Sequence, residues 1–152
     1  MPRGTLDVDV NVFSADEELP AVIAALGALG IVIDEAAATA RARRDGMFIG
    51  DWRGMRIDVF VPSIPFSTEA GRTRVRLVDP DGTAVWFLAP EALTVFKLLF
   101  FRPKDLADLE RLLAVRGPDL DRAYVRRWMA DMMGDADPRV IAWDDMVRRF
   151  PA

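Results

Sequence analysis

Strand-like alternation runs through this chain only as far as Pro90, and that limit sets what it can fold into. Upstream, three stretches alternate residue by residue, the pattern of strands with one buried face. The first sets Leu6, Val8, Val10 and Val12 on one side and Thr5, Asp7, Asp9 and Asn11 on the other. MFIGDWRGMRIDVFV bends at Arg53-Gly54 and then alternates Met55, Ile57, Val59 and Val61 with Arg56, Asp58 and Phe60, which reads as a hairpin. RVRLVDPDGTAVWFL reads as a second hairpin turning at Pro80-Asp81-Gly82.

Helical spacing takes over from Pro90. PEALTVFKLLFF opens on Pro90 and Glu91, residues suited to a first turn. KDLADLERLLAVR follows and stops at Gly117-Pro118, PDLDRAYVRRWMADMMG spaces its apolar residues helically, and a last short helix is expected from Arg139 to Phe150. Two further helices belong to the first part. One begins after Ser14 as N-cap, with Asp16, Glu17 and Glu18 at its positive end, and runs to Gly27 or Gly30. The other covers DEAAATARARR and ends at Asp45-Gly46, with IVIDE as a short strand between them. VPSIPFSTEAG is loop-like, with room for a short helical turn. The fold class is α+β: a mixed β-sheet with flanking helices and a helical C-terminal portion. One domain is expected over 1–152, with an α/β part at 1–89 and a helical part at 90–152.

At 152 residues, 51% hydrophobic and 29% charged, the chain can bury a real core and reads as globular. Its net charge of −4 argues against a broad basic surface for duplex nucleic acid. Cysteine and histidine are both absent. Thiol nucleophiles, imidazole bases and imidazole metal ligands are therefore excluded, and any chemistry must run on carboxylates, Lys, Arg, hydroxyls or backbone groups. Carboxylate oxygens suit hard ions such as Mg²⁺ or Mn²⁺. No run reaches the roughly 18 apolar residues of a membrane span, and MPRGTLDVDV lacks the basic-then-apolar order of a signal peptide. No membrane partner is expected, and the expected compartment is the cytoplasm.

Asp7 and Asp9 stand out because residues two apart on a strand point the same way, with alpha carbons roughly 6.5–7 Å apart. Two such carboxylates can reach around one divalent ion, or serve two ions about 3.5–4 Å apart, if a neighbouring strand supplies a third acid. Asp58, on the polar phase of its strand, is the candidate. A solvated edge strand explains the same Asp-x-Asp pair without any metal. Lys97, interrupting LTVFKLLFF, reads as a ligand-facing cation or as a snorkelling lysine. Asp105 and Asp108 have a rival role in complementing a helix N-terminus, and Arg102 in pairing with Asp105. Arg41, Arg43 and Arg44 read first as a solvated helix face and second as a tRNA contact.

Arg3-Gly4-Thr5-Leu6-Asp7-Val8-Asp9 has the form R-x-T-x-D-x-D, and Lys97 with Arg102-Pro103-Lys104-Asp105-Leu106-Ala107-Asp108-Leu109 the form K…R-x-K-D-x-x-D-L. In this order, with Ile57-Asp58-Val59-Phe60 between them, they resemble the polymerase-beta-like nucleotidyltransferase superfamily, most of all the branch of AbiEii-type abortive-infection toxins. The resemblance implies Asp7, Asp9 and Asp58 as Mg²⁺ ligands, with Asp58 also assisting the attacking hydroxyl. It places Arg3, Thr5 and Arg102 at the nucleotide, and Lys97 with Asp105 as the downstream functional pair. It implies a nucleoside triphosphate as donor, tRNA or a protein as acceptor, and an antitoxin as partner; a second copy is expected to pair only if the missing upstream element leaves a sheet edge exposed. One departure is plain. The family's Gly-Gly or Gly-Ser turn before the Asp-x-Asp strand, which offers backbone N–H groups to phosphates, has no room before Arg3, and Gly27, Gly30 and Gly46 all come later. Either the reading frame starts further upstream or this member lacks the cradle, in which case a non-catalytic binding or regulatory module is the alternative. A metal-dependent nuclease built on the same acids is a third reading.

Overall fold

The computed structural model describes residues 7–151. It is an α+β protein with a small mixed sheet, and it divides into two compact units, Met1–Thr68 and Glu69–Ala152.

In the first unit, β1 (Asp7–Asn11) leads through a 3-10 turn (Asp16–Glu18) into α1 (Leu19–Ala28) and α2 (Glu35–Asp45). β2 (Met47–Trp52) and β3 (Met55–Phe60) follow. The sheet order is β1-β3-β2, with β1 parallel and β2 antiparallel to β3. A parallel neighbour needs a crossover, and α1 and α2 supply it. Their Leu19, Ile23, Ala38 and Ala42 close over Phe48, Ile57 and Val59. Ala38 and Ala42, one turn apart and small, let α2 lie close to the sheet. The opposite phase of the strands carries Asp7, Asp9 and Asn11 beside Arg56, Asp58 and Phe60.

Local chemistry sets the boundaries. Asp34 accepts a hydrogen bond from Ala37 N–H at 2.9 Å and caps α2, which ends where Gly46 turns left-handed at φ 70°. Arg53 and Gly54, with φ 55° and 85°, make the two-residue turn between β2 and β3, the mirror-image type that suits strand twist. Two expectations are corrected. Ser14 is not the cap: Ala15 holds that position, its N–H donating to the Glu18 carboxylate at 2.9 Å. IVIDE forms no strand; only Val32 bridges Asp51, because Gly30 and the Asp34 cap leave too few residues for a ladder.

α3 (Phe66–Arg72) forms in the segment expected to be mainly loop, and the division between the units falls within it. The second unit then contains the hairpin β4 (Val75–Val78) and β5 (Ala84–Phe87), and four helices. These are α4 (Pro90–Phe100), α5 (Pro103–Arg116), α6 (Arg122–Met133) and α7 (Pro138–Arg149). α4 packs on α5, α6 and α7, and α6 packs on α7. Val95, Leu98, Leu109, Val125, Met129, Val140 and Trp143 are buried, and the Trp143 indole donates to the Arg122 carbonyl at 3.3 Å. Among the described residues no helix is long and apolar enough to cross a membrane.

Gly46 has little room for change. A side chain there meets the left-handed backbone and a Cβ only 2.6 Å from Ser63 Cβ. Gly46→Ala is expected to lower unfolding free energy by about 1–3 kcal/mol, read as a reduced urea midpoint at unchanged slope.

Candidate functional site

The register of β1 against β3 decides what the sheet face displays. Asp9 lies directly beside Asp58, and Asp7 beside Arg56. Cross-strand partners share a face, so the three acids singled out in the sequence stand together on the side away from α1 and α2. β2 adds Asp51 opposite Arg56, but its carboxylate accepts the Gly54 N–H at 2.9 Å and is committed to the hairpin turn.

Arg56 alters the electrostatics of this face. It lies two residues before Asp58 on the same strand, and its side chain folds forward onto that carboxylate. Nε is 2.6 Å from Oδ1 and Nη2 is 3.1 Å from Oδ2. This fork-on-fork geometry is the strongest form of a side-chain ion pair. Hydrogen bonding to Asp58 and then its charge raise the Arg56 pKa against the opposing effect of burial, with Asp7 and Asp9 adding to the rise. Asp58 itself is only 9% exposed, a setting in which an unpaired carboxylate would be costly.

The donor chemistry suits a hard divalent ion, since Asp7, Asp9 and Asp58 offer only carboxylate oxygens. With Arg56 included, this group retains two negative charges, matching one such ion. Against that, Arg56 occupies both oxygens of Asp58, and among the described residues no three acidic side chains form a ready-made cation cage. Arg3 and Thr5, expected beside the nucleotide, lie outside the described residues.

Lys97, Arg102 and Asp105 belong to the second unit, at the corner between α4 and α5. Phe101 makes the corner by taking a left-handed conformation, φ 54°, as its N–H closes on the Lys97 carbonyl at 2.9 Å. Asp105, 1% exposed, accepts from the Arg102 side chain at 2.6 and 3.1 Å and from the Arg102 N–H at 3.2 Å. That carboxylate ties down the start of α5, as a helix N-terminus favours. Lys97 Nζ reaches Asp108 at 2.9 Å and Asp105 at 3.6 Å. The Lys97–Asp105 pair implied by the resemblance is therefore part of a wider network, in which Asp108 is the closer partner of Lys97. Arg111 holds the other Asp108 oxygen at 3.2 Å. Asp105 and Asp108 fall one helical turn apart, on one side of α5, and that spacing is the signal that would have revealed the shared lysine. The Arg41, Arg43 and Arg44 cluster is paired with acids, through Asp45 and Asp16.

A cleft of about 200 Å³ opens where β1 and β3 end, lined by Ser14, Asp16, Arg43, Val61 and Ser63 among others. The carboxyl ends of parallel strands are a usual place for ligands. This cleft is nevertheless smaller than the roughly 300–1,000 Å³ typical of small-molecule pockets, and Asp7 and Asp9 come before it on β1. No protein-family model matches the chain, and no curated protein matches it significantly.

Burial pushes the Asp105 pKa up, but the hydrogen bonds and charge of Arg102, with the charge of Lys97, outweigh it and hold the carboxyl below its ordinary range. A depressed carboxylate contributes stability that is present above its unfolded pKa of about 4 and lost as pH falls through the lower folded value. Asp105→Asn is expected to cost about 1–3 kcal/mol at pH 7, less than a fully buried pair because Arg102 is half in water. The difference from wild type should shrink on acidification below pH about 4, as measured by denaturant titration at several pH values.

Proposed function

We propose that this chain is a Mg²⁺-dependent nucleotidyltransferase that transfers a nucleotide from a nucleoside triphosphate to a tRNA or protein acceptor. In this reading it works in the cytoplasm as the toxin-type enzyme of a toxin–antitoxin pair. The supporting observation is the register of two parallel strands, which sets Asp58 beside Asp9 with Asp7 on the same face. Asp7, Asp9 and Asp58 would hold the Mg²⁺ (or Mn²⁺), which supplies charge neutralisation to the triphosphate. Asp58, already the least solvated of the three acids, is the group suited to orient an acceptor hydroxyl. Arg56 neutralises Asp58 in the free protein and limits repulsion among the acids. The Lys97, Asp105 and Asp108 network holds the α4–α5 corner rigid, and Arg102 presents a half-exposed guanidinium there.

A second reading has its own observation. The Arg56–Asp58 fork leaves Asp58 compensated without any cation, which suits a non-catalytic binding or regulatory module in which an arginine has taken the place of the metal.

Calorimetric titration of Mn²⁺ or Mg²⁺-ATP into wild type and Asp9→Asn separates the two. The enzyme reading expects metal binding at least tenfold weaker in Asp9→Asn, about 1.4 kcal/mol, and label transfer from a nucleoside triphosphate to total tRNA or protein by wild type only. Equal heats in both proteins, or none in either, would remove the metal site. Neither metal binding nor label transfer is the outcome expected of the module, and metal binding without label transfer would count against both readings.

A further inference from the structure

Among the described residues the buried carboxylates are Asp58 and Asp105, and an arginine forks onto each. The two forks are built differently. Asp105 also accepts the Arg102 N–H at 3.2 Å and faces Lys97 at 3.6 Å, so it stays compensated when the Arg102 side chain leaves. Among the described residues the Asp58 carboxylate is hydrogen-bonded to Arg56 alone, at 2.6 and 3.1 Å. Arg56 is also the more solvated half of its pair, with 52% of its side chain exposed against 13% for Asp58. Both residues belong to β3, the central strand, whose backbone is paired on both sides. The strand is pinned, but an arginine side chain can turn into water about its own torsions.

We propose, resting on the reading of Asp7, Asp9 and Asp58 as metal ligands, that Arg56 is a latch on that site. It holds Asp58 in the free protein, and a divalent cation binds by displacing it. A cation must join Asp58 to Asp9, its cross-strand neighbour. Both Asp58 oxygens are already hydrogen-bonded, and the guanidinium lying against them repels an approaching positive charge.

The exchange selects by charge. A monovalent ion brings no more charge than the guanidinium it would replace. Mg²⁺ or Mn²⁺ brings twice as much to a face that also carries Asp7 and Asp9. The released Arg56 stays beside Asp7, its own cross-strand neighbour, so it keeps a carboxylate within reach while Asp58 turns to the metal.

Calorimetric titration of Mn²⁺ alone should show binding about tenfold tighter in Arg56→Gln than in wild type. Arg56→Lys keeps the charge but cannot grip both oxygens at once, and it too should bind more tightly than wild type. Wild type itself carries a reporter that needs no substitution to fold. Its Arg56 Nε–H resonance, assigned by its absence from the Arg56→Gln spectrum, should shift and exchange faster with water on adding Mg²⁺. Sodium chloride at equal ionic strength should leave that resonance in place. No Mn²⁺ binding by either wild type or Arg56→Gln would remove the metal site and the latch with it. Wild-type binding that Arg56→Gln does not tighten, or that Arg56→Lys leaves unchanged, would overturn the latch and leave the metal site standing. So would bound Mg²⁺ that does not move the Arg56 resonance.

Discussion

The parallel pairing of β1 with β3 is the interaction on which the first unit depends. It turns two short segments far apart in the chain into neighbours, and it does so in a register that aligns apolar with apolar and charged with charged. Because side chains alternate, a slip by one residue would carry Val59 and Ile57 out of the contact with α1 and α2 and bring Asp58 into it. The burial of Phe48, Ile57 and Val59 under Leu19, Ile23, Ala38 and Ala42 therefore selects the same alignment that sets Asp9 beside Asp58. Core packing and the acidic face are two consequences of one register.

Arg56 makes that face tolerable. Three carboxylates sharing one side of a sheet repel unless positive charge is near, and the guanidinium supplies it from within the same strand. This arrangement stabilises the protein and at the same time competes with any cation for Asp58. In the proposed enzyme that competition would govern metal affinity; in the non-catalytic alternative the arginine would be the permanent occupant.

The second unit solves a similar problem in another way. A carboxylate as buried as Asp105 can persist only when its oxygens are engaged, and the α4–α5 corner brings Arg102 and Lys97 to it. Phe101, held in a backbone conformation that side chains seldom adopt, makes the corner tight enough for this. The residues read as functional here are thus also structural, and substitution of Asp105 would disturb the entry to α5 before it could report on chemistry.

Much of the fold was legible in the residue pattern. Alternation marked β1, β3 and both hairpins; Gly46 ended α2; Pro90 opened α4; and Gly117 closed α5. These signals are local, carried by neighbours within a turn or a strand. IVIDE and the Ser14 cap misled because each had a local preference that its surroundings did not use. What the pattern could not supply was pairing. That Asp9 meets Asp58, that Arg56 claims Asp58, and that Lys97 lies closer to Asp108 than to Asp105 are decided by which strands align and how one helix turns into the next. Sequence by itself determined most of the elements and the supply of carboxylates. Tertiary structure alone decided which charges share a neighbourhood, because the energy of an ion pair depends on distance and burial, and neither exists until the chain has packed.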